Sequence, residues 1–96
     1  MTVYAIGKIN VRDARAYRRY EAGFKKILLA HSGTILAGDA QPRLVEGDWQ
    51  DDRVVLLSFP DEAAFDAWYN SEDYQNLRKH RTDVSTATII VTKAWS

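Results

Sequence analysis

Apolar residues follow two different periods along this chain. The clearest extended stretch is Val54-Val55-Leu56-Leu57, continued by Ser58-Phe59 and stopped by Pro60-Asp61. A short run that is β-branched at its start and bounded by a breaker predicts a strand. Alternation places Val54, Leu56 and Ser58 on one side and Val55, Leu57 and Phe59 on the other. Residues 2–11 predict another strand, with Tyr4 and Ile6 opposite Val3, Ala5, Ile9 and Val11. Gly7 leaves a gap there, read as a bulge or a close approach. Residues 34–38 predict a further strand, interrupted by Asp39-Ala40-Gln41-Pro42 and resumed over 43–46. The last covers 86–95, where Ala87, Ile89, Val91 and Trp95 oppose Thr88, Ile90, Thr92 and Ala94.

Between the strands the period becomes helical. Tyr17, Tyr20, Phe24, Ile27, Leu28 and His31 form one stripe on a helix predicted over 14–31. Asp13 caps its start, and Gly33 is expected in the left-handed position beyond its end. Asp61 caps a second helix whose inward face is Ala64, Phe65 and Trp68. Asn70-Ser71 breaks it, and Ser71 caps a further turn or two with Tyr74, Leu77 and Arg81 inward. Glu72 and Asp73 at the start of that piece, and Arg78 to Arg81 at its end, match the helix dipole.

The order β-α-β-β-α-β predicts an α+β, ferredoxin-like fold in one domain over residues 1–96. Its antiparallel sheet has the expected order 4-1-3-2, and right-handed crossovers put both helices on one face. The opposite face then keeps an apolar set from each strand, a plane on the order of 400 Å². Burying it is worth on the order of 10 kcal/mol per chain. A second copy of the chain is the simplest cover, giving a sheet-to-sheet homodimer, a dimeric α/β barrel.

Composition narrows the function classes. Lys+Arg and Asp+Glu both number 13, so the formal net charge is zero. A dedicated nucleic-acid or anionic-membrane binder carries a basic excess. Cys is 0, which excludes disulfides, thiolate metal sites and a cysteine nucleophile. The N-terminal stretch has no basic region followed by a long apolar one, and no run approaches the ~20 apolar residues of a membrane span. A soluble cytoplasmic protein is the expectation. His31 and His80 are not at metal-ligand spacing, and no nucleotide-binding glycine loop or nucleophile elbow is present. Neither a metal nor a cofactor is expected.

The chemical candidates are few. His31 reads either as a general acid/base at a pocket mouth or as a helix-end histidine favoured by the dipole. Glu46 and Arg53 are placed to oppose each other across two strands as an ion pair. In the functional version, Arg53 or Arg81 holds a substrate carboxylate and Glu46 acts as base. Trp49 is large and apolar on a polar loop, positioned to reach a partner subunit or a ligand. Tyr17, Tyr20, Trp68 and Tyr74 read as core aromatics whose polar tips collect, with Ser71 and Arg81, in a pocket between helices and sheet.

The series Asp13, Tyr17, Tyr20, Gly33, Leu36, Gly38, then Glu46-Gly47-Asp48-Trp49, Arg53, Phe59-Pro60-Asp61, Ala64, Trp68, Ser71, Tyr74 and Arg81 resembles a bacterial family of small proteins of unknown function. That family lies in the dimeric α/β-barrel superfamily, and the resemblance covers almost the whole chain. One departure is Ser32-Gly33, where the family commonly has two glycines. The resemblance implies the ferredoxin-like fold and a homodimer, and no established reaction. Wider relatives include cofactor-independent monooxygenases, haem-degrading enzymes and lactone isomerases. Two readings follow. The first is a dimer binding a small, partly apolar ligand, with cofactor-independent monooxygenase- or isomerase-type chemistry. The second is a non-catalytic interaction dimer in which the same residues brace the fold.

Overall fold

In a computed structural model that describes residues 1–50 and 52–95, the chain runs β1 (Val3–Val11), α1 (Ala14–Ala30), β2 (Thr34–Asp39), β3 (Arg53–Phe59), α2 (Glu62–Tyr69), α3 (Glu72–Thr82) and β4 (Ser85–Lys93). The four strands form one antiparallel sheet in the order β2-β3-β1-β4. This is the ferredoxin-like arrangement anticipated from the element order. The Cα envelope measures 33 × 31 × 16 Å, the thickness of one sheet and one helical layer.

The pleat sorts side chains as the alternation requires. Val3, Ala5, Ile9, Leu57 and Phe59 turn toward the helices and are buried with Tyr17, Tyr20, Leu28, Trp68 and Tyr74. Gly7 lies in regular register opposite Val55 and Ile89, so no bulge occurs there. The bulge is instead in β2, between Ile35 and Ala37. On the helix-free face, one row crosses all four strands, Ala37, Leu56, Ile6 and Ile90, and is apolar throughout. Its neighbours are mixed: Thr34-Ser58-Tyr4-Thr92 on one side and Asp39-Val54-Lys8-Thr88 on the other. The expected apolar plane is thus a band, because polar residues occupy the flanking positions.

Local capping explains the helices. Asp13, Asp61 and Ser71 accept from the backbone N–H of Ala16, Ala64 and Tyr74, at 3.1, 2.8 and 3.1 Å. The second crossover carries two helices. α3 has 11 residues, more than a turn or two, and packs along α1. Its length follows from acids in its first turn and cations in its last.

Three expectations need correction. The left-handed residue after α1 is Ser32, with φ 66, and not Gly33. The helix ends at Ala30, His31 caps it, and the Gly33 N–H reaches the Leu28 carbonyl at 3.0 Å, so Ser32 falls at the left-handed position of a Schellman turn. Residues 43–46 do not resume β2; they belong to an arm between β2 and β3 in which Leu44 and Val45 are exposed. Trp95 lies past the end of β4, fully exposed rather than on its inner side. No helix among the described residues is long and apolar enough to cross a membrane.

Candidate functional site

Small residues shape a cleft between α1 and the sheet. Ala5 and Gly7 on β1 and Gly38 on β2 keep the floor low, while α1 leans along α3 and leaves β2 uncovered. A Cβ added at Gly38 meets nothing within 4 Å, and one at Gly7 comes no closer than 3.7 Å to Ile9. Neither glycine answers a backbone need; both leave space. The cleft encloses about 350 Å³, at the small end of the range for ligand pockets.

Its walls are aromatic. Tyr17, Tyr20 and Phe24 lie one helical turn apart on α1 and line it, facing Trp68 from α2 and Tyr74 from α3. Tyr20 meets Phe24 edge-on at 5.4 Å, and the Trp68 and Tyr74 ring centres are 4.1 Å apart. At the inner end the Tyr20 and Tyr74 hydroxyls are hydrogen-bonded at 2.7 Å.

Two guanidiniums frame the cleft at different depths. Arg53, at the start of β3, lies over the Tyr17 ring at 4.7 Å and pairs with Glu21 at 3.4 Å near the mouth. Arg81, from the last turn of α3, lies 5.7 Å from the Tyr20 ring centre and is only 4 % exposed. Its backbone is held by the buried Ser85, whose hydroxyl donates to the Arg81 carbonyl at 2.6 Å.

Burial pushes the Tyr17 phenol up to about 12, although the Arg53 guanidinium pulls the other way. Tyr20 is pushed up strongly, by burial first and then by Tyr74. Both are neutral phenols at ordinary pH. For Arg81, burial opposes the cation, Tyr74 and Tyr20 favour it, and the balance lies above the ordinary value. The guanidinium is therefore charged.

Of the residues singled out from the sequence, Tyr17, Tyr20, Arg53, Trp68, Tyr74 and Arg81 line the cleft. Others lie elsewhere. Ser71 caps α3 and donates to the Trp68 carbonyl at 2.8 Å, positioning the aromatic wall from behind. His31 ends α1 away from the cleft, with its backbone N–H on the Leu28 carbonyl. His80 is exposed in the last turn of α3. Glu46 sits exposed in the arm, so the expected Glu46–Arg53 pair does not form; Glu21 takes the arginine because no strand carries Glu46 opposite it. Trp49 donates its indole N–H to the Asp52 carbonyl at 2.9 Å and stacks under Lys8 at 5.2 Å. Lys8 belongs to the helix-free face, so Trp49 is at the edge of that face and not in the cleft. Among the described residues, no group of three or more His, Cys, Asp or Glu is placed to hold a metal.

Glu21 went unnoticed in the sequence. The signal was a charge one turn after Tyr17 on an otherwise apolar stripe. Ile35 and Gly38, which extend the floor to β2, carried none.

The model of a family described as a domain of unknown function, DUF1330, matches residues 2–95. No curated protein matches in sequence. Among solved structures, a protein of unknown function from Rhodopseudomonas palustris superposes with a TM-score of 0.81 at 18% identity, covering 99% of this chain and 83% of its own. A dimeric ferredoxin-like protein of unknown function from Jannaschia sp. CCS1 gives 0.71 at 14% identity, covering 98% and 100%. SnoaB, a cofactor-independent oxygenase from Streptomyces nogalater, gives 0.65 at 17% identity, covering 99% and 94%. At such identities the likeness is one of fold.

Proposed function

The chain belongs to the DUF1330 family, a domain of unknown function, and on that premise we propose that it is a homodimer holding a small, partly apolar organic molecule between α1, α3 and the sheet. The observation carrying this is the cleft itself, an aromatic-walled space of about 350 Å³ whose floor is lowered by residues that have room for side chains. Natural cores close such space unless something fills it. Pairing is supported by a fold neighbour described as dimeric, and the choice of the helix-free face by its apolar row. Cofactor-independent oxygenase- or isomerase-type chemistry extends the reading, supported by a fold neighbour described as a cofactor-independent oxygenase. Burial holds Tyr17 and Tyr20 protonated, so neither serves as a base; the carboxylates of the cleft, Glu21 and Asp39, lie exposed at its rim.

The test is thermal. A panel of one- and two-ring aromatic compounds is screened against the wild type and Gly38→Leu, which places an isobutyl group on the cleft floor at a position whose Cβ has open space within 4 Å. Compounds that raise the wild-type melting midpoint are expected to leave that of Gly38→Leu unmoved. A panel that stabilises neither protein, or both equally, defeats the proposal.

A further inference from the structure

The inner end of the cleft gathers hydrogen-bond donors around neutral acceptors only, the Tyr20 and Tyr74 hydroxyl oxygens, of which that of Tyr74 lies beside Arg81. Arg81 is 4 % exposed, and its Nε has no partner. Among the described residues no carboxylate comes within 4.0 Å of its guanidinium; the ion pairs are Lys8–Asp52 and Arg53–Glu21. Trp68, on the same wall and 2 % exposed, has an indole N–H without an acceptor. The Tyr20 and Tyr74 hydroxyls share one hydrogen bond, so of their two hydrogens one is spent and one is left to donate. A buried cation without a counter-charge and buried donors without acceptors are each costly, and native proteins rarely keep them together without a reason.

The remaining charges do not neutralise the inner end. Glu21 is occupied by Arg53 at the mouth, and Lys25 and Asp39 are exposed on the rim. The buried phenols stay neutral, so no phenolate balances the guanidinium. What completes this geometry is one or two acceptor oxygens bearing a negative charge, attached to an apolar body that fits between the aromatic walls.

Resting on the cleft reading above, we propose that the ligand is an aromatic or otherwise apolar carboxylate, whose anionic oxygens sit on Arg81 and take the free donors of Trp68 and the Tyr20–Tyr74 pair. Arg81 supplies a planar fork that matches a carboxylate, and the low surrounding polarity strengthens the pairing. Arg53, already paired and nearer the solvent, closes the mouth and does not read the charge.

The test is a matched pair of probes on the intact protein by calorimetry: naphthoate and its neutral isostere naphthamide. The wild type is expected to bind the carboxylate roughly tenfold or more tightly than the amide, the worth of a charged hydrogen bond. Arg81→Gln is expected to abolish that preference and Arg53→Gln to retain it. The Trp68 indole N–H resonance, assigned by its loss in Trp68→Phe, is expected to move on adding naphthoate. Equal binding of both probes to the wild type overturns the anion proposal while leaving the cleft reading intact. Failure of both to bind removes the cleft reading and this proposal together. A preference that survives in Arg81→Gln, with the Trp68 signal unmoved, places the anion elsewhere and also overturns it. Should Arg81→Gln not fold, the wild-type preference, the Arg53→Gln result and the Trp68 signal decide between the same outcomes.

Discussion

Two phenols in the cleft resist ionisation, and this makes a pH prediction. A free tyrosine loses its proton near 10, whereas Tyr17 in the fold holds it to about 12 and Tyr20 is raised as well. Above the unfolded value the unfolded chain releases protons that the folded one retains, so stability falls as pH rises. The stabilisation is complete below about pH 10 and is lost as pH climbs through the folded value of about 12. Following the tyrosinate absorbance should show Tyr17 and Tyr20 ionising late, together with the loss of helical signal. A smooth titration of all five tyrosines with the fold intact contradicts the burial argument. Helical spacing had already made Tyr17, Tyr20, Trp68, Tyr74 and Arg81 inward residues, because periodicity reports which face is covered. It did not distinguish a covered face from a cleft wall. That distinction depends on Gly38 and Ile35, on a strand distant in sequence, and on α1 leaning toward α3.

At the scale of elements, the turn from α1 to β2 is the most informative. Ser32 holds a left-handed backbone, which costs a side-chain-bearing residue about 1 kcal/mol or more relative to glycine. The next residue is constrained differently. A Cβ on Gly33 would collide with Leu28 Cδ1 and lie 2.7 Å from Leu28 Cγ and 2.9 Å from Phe59 Cε1. Ser32→Gly is therefore expected to raise stability by about 1 kcal/mol, or roughly 4–8 °C in midpoint for a domain of this size. Gly33→Ala is expected to lower it by roughly 1–3 kcal/mol through overpacking. Denaturant midpoints of the two variants check both signs; a stabilised Gly33→Ala contradicts the geometry. The element order was legible from period and breakers alone. The exact turn was not, since Ser-Gly marks a helix end without saying which residue takes the left-handed position. The arm after β2 departs from the strand expected over 43–46 for a related reason: Leu44 and Val45 have strand-forming side chains, and local propensity does not show that no neighbouring strand pairs with them.

For the whole molecule, the proposed pairing rests on the helix-free face. The wholly apolar row spans four strands and one pleat, or ~130 Å², worth about 3 kcal/mol per chain. That falls short of the plane anticipated from strand patterning, because Lys8, Ser58, Thr88 and Thr92 share the face. Pairing then needs help from Tyr4, Val54 and the apolar residues of the arm, of which Val45 is 80% exposed. Sedimentation at micromolar concentration is expected to show a dimer for the wild type and a monomer for Ile6→Lys, which puts a charge at the centre of the row. A wild type that stays monomeric, or an Ile6→Lys protein that stays dimeric, contradicts this mode of pairing. The sequence made the existence of two apolar faces plain; how polar the second one is emerges only when register places residues from four strands side by side.

The extra residue in β2 has a consequence beyond the cleft. β2 is a margin of the sheet, where unpaired backbone groups can template the addition of another strand. The irregularity around Leu36 bends that margin and spoils its spacing as a template. The same kink that turns both Ile35 and Gly38 to the cleft side of the sheet thus discourages open-ended strand addition along this margin, where growth would otherwise run on into a ribbon.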